Sequence, residues 1–294
     1  AGHGGFVGYH FVVLLLGCFP ASILALRSFF YSAQPTTSAR NFRTWMKILF
    51  WVVIILFSLV QSKIVHYSSL AYFPITYLAT LRIYQVITTE AKVLRYEKIL
   101  LFTLGTLYGI IVTLLPIVGQ HIHWLVPLLQ KDPFALANLE AEVSWHIYQG
   151  IGGWLLLIST AIGCYFLQKA RYLEGFRTIM IGSAWFVIVT LYSVINNIEG
   201  YSQRAAIDFY KKMPADALVI PYGYKSYAHL FYTDKTPTQA ALTTDKNALL
   251  EQASQRTQPV YVVTKITRTQ EFERHYPHFR QIEARNGFVF YIKE

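Results

Sequence analysis

The chain has 294 residues, of which 54% are hydrophobic and only 14% charged, whereas soluble domains carry about a quarter charged residues. Residues 1–203 hold the long apolar runs and residues 204–294 read as ordinary soluble sequence. A wholly soluble protein is therefore excluded in favour of a membrane part followed by a soluble domain. The net charge of +10 does not mark a nucleic-acid binder, because in the membrane part it gathers in three short segments: Arg27, Arg40, Arg43 and Lys47; Arg82, Lys92, Arg95 and Lys98; and Lys169, Arg171 and Arg177.

The chain opens on AGHGGFVGYH, with His3 and His10, and no basic stretch precedes the first apolar run; a signal peptide would have one. A start at Ala1 is expected of a processed chain or of a piece of a longer one. Spans are predicted near 9–28, 45–61, 69–88, 99–118, 147–167 and 179–198, each close to the ~20 apolar residues that cross a bilayer. Pro20 and Pro74 fall inside spans, which membrane helices tolerate. Arg82 sits near the end of its span, where its stem is expected to snorkel to the interface. Cys18 and Cys164 lie in apolar runs and read as packing residues, not as a disulfide or metal pair.

The three basic segments belong in the cytoplasm by the positive-inside rule. The alternate segments hold only Lys63 and Lys131. The N-terminus, residues 62–68, 119–146 and 199–294 are then external, which in a Gram-negative cell is the periplasm. The loop 119–146 is too polar to span; its WLVPLL and FALANL are candidates for short interfacial pieces. His121 and His123 read either as solvated loop residues or as metal ligands. Asp132, Glu140 and Glu142 are available as acids or bases, with no spacing that singles one out.

Residues 201–294 are predicted to form an external α/β domain after a transmembrane domain 1–200. Helices are expected at 204–213, 225–232 and 245–254, the last with Asp245 as candidate N-cap, and strands at 217–222, 259–266 and 287–293. The aromatic run YGYKSYAHLFY (222–232) is expected to pack this domain, with the membrane surface as one candidate partner and sugar stacking as the lesser reading. It contains no Walker loop, no GxGxxG and no metal-spaced Cys/His set.

The chemistry concentrates in QSKIVHYSSLAYFPITYL (61–78), where Lys63, His66 and Tyr67 stand between two apolar segments. Two readings compete. Lys and Tyr are common interfacial anchors. They are also what a phosphate at a membrane surface needs, a cation and an O–H donor; one such charge contact at 4 Å is worth about 4 kcal/mol at an effective dielectric of 20.

SKIVHYSSLAYFP resembles the SK-x-x-x-Y segment, with its following proline, of polytopic glycosyltransferases of the GT-C class, near the lipid A aminoarabinose transferase and the bacterial protein mannosyltransferase-like proteins. GHGGFVGYHFVVLLLGCFPASILAL is similar to the place where an external loop of those proteins enters a membrane helix. IEGYSQRAAIDFYKKM and GYKSYAHLFY are similar to their external C-terminal domain. The resemblance covers nearly the whole chain and implies a multi-pass protein of the inner membrane. It implies a sugar taken from a polyprenyl-phosphate donor and passed on the external face to lipid A, a glycan or a protein. Lys63 and Tyr67, with His66 beside them in place of a smaller residue, would meet the donor phosphate. His3 would be a candidate ligand for a divalent metal. The family's catalytic acid lies in an N-terminal half with no counterpart here, so this chain is expected to be a C-terminal portion, inactive alone. The rival readings are a transporter or flippase for the same lipid and a non-catalytic anchor displaying an external binding domain. The first would place polar groups deep in spans, where the sequence offers Gln149, Asn196 and hydroxyls. The second has no need of Lys63 or Tyr67.

Overall fold

The computed structural model describes residues 6, 8–30, 36–60, 63–89, 91–214, 216–236, 240 and 246–293. The protein is mostly helical with a small sheet near its C-terminus. It divides into two compact units, Ala1–Leu115 with Tyr148–Ser193, and Pro116–Ile147 with Val194–Glu294. The helices in chain order begin with α1 (Tyr9–Gly17), α2 (Ala21–Phe30), α3 (Thr37–Leu59), α4 (Tyr72–Thr88) and α5 (Arg95–Gln120). The short α6 (Val126–Leu129) and α7 (Pro133–Asn138) precede the long α8 (Ile151–Gln168) and α9 (Tyr172–Ser202).

Among the described residues, four helical stretches are long and apolar enough to cross a membrane: α3, α5, Ile147–Gln168 and α9. The expected span at 9–28 is not one helix. It breaks between α1 and α2, which bend by 117° and together make at most a fifth crossing; Pro20, at the break, has no N–H to continue the ladder. The expected span at 69–88 is a 3₁₀ turn (Val65–Ala71) leading into the 17-residue α4. Trp51, Ile55 and Leu56 on α3, Trp154 and Ile158 on α8, and Ile188 and Leu191 on α9 face outward, a surface made for hydrocarbon rather than water.

Inside the first unit, Ile23 and Leu24 of α2, Phe50 and Val53 of α3, Ile75 and Leu78 of α4, Leu101 of α5 and Leu167 of α8 form one core, which Cys164 joins. Both cysteines are free. A Cβ at Gly153 would fall on the backbone and Thr113 side chain of α5 beside Gly109, so the small residue lets two membrane helices touch through their backbones. Arg82 does not snorkel. Its side chain is 4% exposed and pairs with Glu97, 0% exposed, through Nε–Oε1 at 2.7 Å and Nη2–Oε2 at 2.8 Å, while Nη2 also donates to Lys92 O. Glu97 in turn accepts from Leu94 N at 2.7 Å, reaching back over the start of α5 as an N3 glutamate does in a capping box.

The second unit is built on a sheet of order β1-β2-β4-β3, with β1 (Leu218–Tyr222) parallel to β2 (Val260–Lys265), and β4 (Phe288–Lys293) antiparallel to both β2 and β3 (Phe279–Arg285). Side chains alternate between faces. Leu218, Ile220, Val260, Val262, Val289 and Tyr291 pack with Leu249, Leu250 and Phe272. Val219, Val263, Phe288 and Phe290 pack with Phe209 and Tyr210 of α10 (Arg204–Lys211). Helices therefore cover both faces of β1 and β2, which explains their unbroken apolar runs. The helix expected at 225–232 is reduced to α11 (Ala228–Tyr232). The one expected at 245–254 is α12 (Lys246–Glu251) followed by a 3₁₀ turn; the candidate cap Asp245 lies outside the described residues. Two elements were not foreseen, α13 (Thr269–His275) and β3.

Candidate functional site

The turn between α3 and α4 carries Lys63, His66 and Tyr67. Lys63 is half-buried, and its Nζ donates to the carbonyls of Phe57 (3.2 Å), Ser58 (2.7 Å) and Val60 (2.6 Å). These are carbonyls that the C-terminus of α3 leaves without intrahelical partners, so the ammonium caps the helix where its dipole is negative. All three donors of the ammonium are engaged. The Tyr67 ring lies 5.4 Å from Phe57 and 5.1 Å from the exposed His66. His10 is fully buried, its ring 6.0 Å from Phe57 and 5.2 Å from Tyr9. Neither His10 nitrogen has a hydrogen-bond partner among the described residues. His3 lies outside the described residues.

Below this turn, α1, α2 and α3 enclose an apolar groove of about 570 Å³. Phe11, Leu15, Leu26, Phe30, Trp51 and Ile55 line it, and Ser22, Thr44 and Lys47 are its polar members. Lys47 Nζ is held by the Phe29 carbonyl at the end of α2, and Ser22 Oγ by Leu15 O at 2.6 Å. With its polar groups tied to backbone, the groove offers hydrocarbon-like walls over its length and suits a long apolar chain.

Over 98% of this chain, the structure is similar to the crystal structure of ArnT from Cupriavidus metallidurans in the apo state, with a TM-score of 0.59 and 12% identity. Over 99% it is similar to ArnT from the same organism bound to undecaprenyl phosphate, with a TM-score of 0.60 and 11% identity. The fold is ArnT-like. The chain spans about half the length of ArnT, 52% and 53% of the two chains. No protein-family model matches it, and no curated protein does.

Within this ArnT-like fold the other candidate residues are dispersed. His121 stacks on Trp124 at 4.7 Å with His123 6.0 Å away, and among the described residues no group of three or more His, Cys, Asp or Glu could hold a metal ion. Asp132 is a helix cap, its Oδ1 accepting from Phe134 N and Ala135 N. Glu140 and Glu142 line a polar cleft of about 330 Å³ with Arg204, Asp208 and Arg285, where Arg204 pairs with Glu199 at 3.2 Å and Arg285 with Asp208 at 3.3 Å.

Sequence reasoning missed a second cleft in the same unit, of about 220 Å³, lined by Phe134, Tyr210, Tyr224, Lys225, Lys265 and Phe288 among others. Its residues come from five separate segments, so no local motif announces it. Tyr210 Oη and Tyr224 Oη lie 3.0 Å apart. Burial pushes the Tyr210 phenol up to about 12, and burial together with the Tyr210 oxygen raises Tyr224 further. Both are therefore neutral hydroxyls at ordinary pH.

Proposed function

We propose that the chain is part of an integral membrane glycosyltransferase of the GT-C class. In this reading it takes a sugar from a polyprenyl-phosphate donor and passes it, on the external face of the inner membrane, to a lipid, glycan or protein acceptor. The observation that carries the reading is the fold, which is similar to ArnT over nearly the whole chain, including an ArnT bound to undecaprenyl phosphate. The groove of α1–α3 supports it, since a prenyl tail needs an apolar slot in the bilayer. So does the loop asymmetry. With the 17-residue α4 counted as a crossing beside the four longer helices, Lys63 and residues 121–146 lie on one side, opposite Arg40, Lys92, Arg95 and Arg171, whether or not α1 and α2 together cross the membrane.

In the reaction the anomeric carbon–oxygen bond of the donor breaks and the lipid phosphate leaves with the electron pair. Charge growing on the phosphate favours a fixed cation and O–H donors nearby. Lys63 and Tyr67 are assigned to that role, with His66 exposed beside them. Lys63 must release at least one of its three carbonyls to reach the phosphate. That exchange is favourable because a full negative charge replaces a neutral acceptor. The acid that activates the acceptor is assigned to residues outside this chain, as is any partner for His3 on a divalent metal.

The test is made in an active protein carrying this chain. Lys63→Ala should lower transfer by about 10²–10³ while insertion and yield hold. Lys63→Arg should recover part, since charge remains while geometry changes, and Tyr67→Phe should lose less, as a neutral donor contributes less than a cation. Transfer at the normal rate in Lys63→Ala would leave Lys63 as a helix cap and remove the phosphate from this turn.

A further inference from the structure

The second cleft lies where the sheet opens. β1 and β2 run parallel, and their carboxyl ends meet at it: Tyr224 follows β1 and Lys265 is the last residue of β2. Ligands of open α/β sheets bind outside the carboxyl ends of parallel strands. Phe288, paired across from Lys265 at the start of β4, floors the cleft, and Phe134 from α7 closes it with its ring 5.2 Å from Phe288.

The charge in the cleft is one-sided. Lys265 Nζ sits 4.0 Å from the centre of the Phe134 ring and 5.8 Å from that of Tyr224, and Lys225 stands exposed at the rim. No carboxylate lines the cleft among the described residues, and no hydrogen-bond acceptor for Lys265 Nζ is found among them. Cation–π contact, worth about 0.5–2 kcal/mol, steadies the ammonium but leaves its N–H donors unused. Ser202, Gln203 and Ser226 add side-chain hydrogen-bonding groups around the mouth. At about 220 Å³ the cleft is below the ~300–1,000 Å³ of sites for larger ligands, so it holds one ring and not a chain of them.

We propose that this cleft binds a single sugar unit carrying a negative charge, either a carboxylate or a phosphate. The anion meets Lys265 and Lys225, the ring lies against Phe134 and Tyr224, and the ring hydroxyls reach the serines, Gln203 and the paired tyrosine O–H groups. Lysine acts as a point charge and does not impose the two-pronged geometry of arginine, so both anions fit the same lysines. The site lies in the second unit, and its test needs no polyprenyl donor; it stands or falls apart from the transfer reading.

The experiment measures binding of glucuronate, glucose 1-phosphate, glucose and inorganic phosphate to the full chain in nanodiscs of zwitterionic lipid. At least one of the two anionic sugars should bind about tenfold or more tightly than glucose, as expected of a charge-assisted contact, and which one binds names the anion. Lys265→Met, which keeps the apolar stem against the rings, should erase that preference, and Lys225→Ala, at an exposed position that cannot unfold the domain, should reduce it severalfold. Unchanged melting of both variants excludes misfolding as the cause. Equal binding of glucose and the anionic sugars, or a preference untouched by both substitutions, overturns the proposal. So does inorganic phosphate binding as tightly as glucose 1-phosphate, because the ring would then contribute nothing.

Discussion

Glu97→Ala should be among the most damaging single substitutions in the membrane part. It leaves the Arg82 guanidinium, whose side chain is 4% exposed, with only its bond to the Lys92 carbonyl, and it strips the Leu94 N–H of its acceptor at the start of α5. Breaking a buried pair in this way costs about 3–5 kcal/mol. Glu97→Gln keeps an oxygen for one guanidinium bond and loses the charge, for about 1.5–3 kcal/mol. Joint replacement by Arg82→Met and Glu97→Leu removes both charges together and should cost less than Glu97→Ala alone, because no ion is then left unpaired; what remains is the lost cap on α5, about 1 kcal/mol. The assay is reversible unfolding in mixed micelles titrated with a denaturing detergent, run as a double-mutant cycle. Additive losses, with Glu97→Ala costing under about 1 kcal/mol, would mean that Arg82 reaches the aqueous interface after all and would refute the pairing.

His229 is buried, and burial, with Lys246 nearby, holds its imidazole down to about 4. The unfolded chain takes that proton near 6.5, so the contribution is complete above pH 6.5 and is lost as pH falls from there towards 4, by up to about 3 kcal/mol; the protection of the β2 amides against hydrogen exchange, taken relative to the intrinsic exchange rate at each pH, should fall over that window in the full chain, and His229→Leu should flatten the dependence. If the dependence persists in His229→Leu, another group is responsible. For topology, cysteines placed at 225 and 40 in a background lacking Cys18 and Cys164 should label from outside at 225 and be spared at 40, and the reverse pattern would invert the assignment. Gly153→Val should destabilise the first unit by about 1–3 kcal/mol through overpacking against α5, and a neutral result by the same detergent titration would show that the helices can part there.

The membrane helices α3, α5, α8 and α9 were legible because an unbroken apolar run of that length has few other readings. The first expected span failed at Pro20, where hydropathy continues but hydrogen bonding does not. In the sheet, β1, β2 and β4 could be seen because both their faces are buried, whereas β3 reads FRQIEAR and is mostly exposed at the edge. Its hairpin was nonetheless announced by Asn286-Gly287, both with positive φ, the pair favoured in two-residue turns. Lys63 stood out as a cation in a basic-poor loop. Its capping of α3 was also open to sequence, since a lysine a few residues past a helix end commonly binds the last carbonyls. The Arg82–Glu97 pair was not legible, because its partners belong to different helices and only packing decides which charge meets which. The lysine cleft was hidden for the same reason.

The most direct measurement compares undecaprenyl phosphate with undecaprenol as ligands for this chain in nanodiscs, before and after Lys63→Ala. The two lipids share the tail proposed for the groove and differ in the phosphate. Donor binding at the α3–α4 turn predicts that the unaltered chain favours the phosphate by about tenfold or more, a difference of about 1.4 kcal/mol per decade. It further predicts that Lys63→Ala brings the two lipids to the same affinity while both still bind. A phosphate preference that survives Lys63→Ala unchanged, or no preference in the unaltered chain, would contradict it.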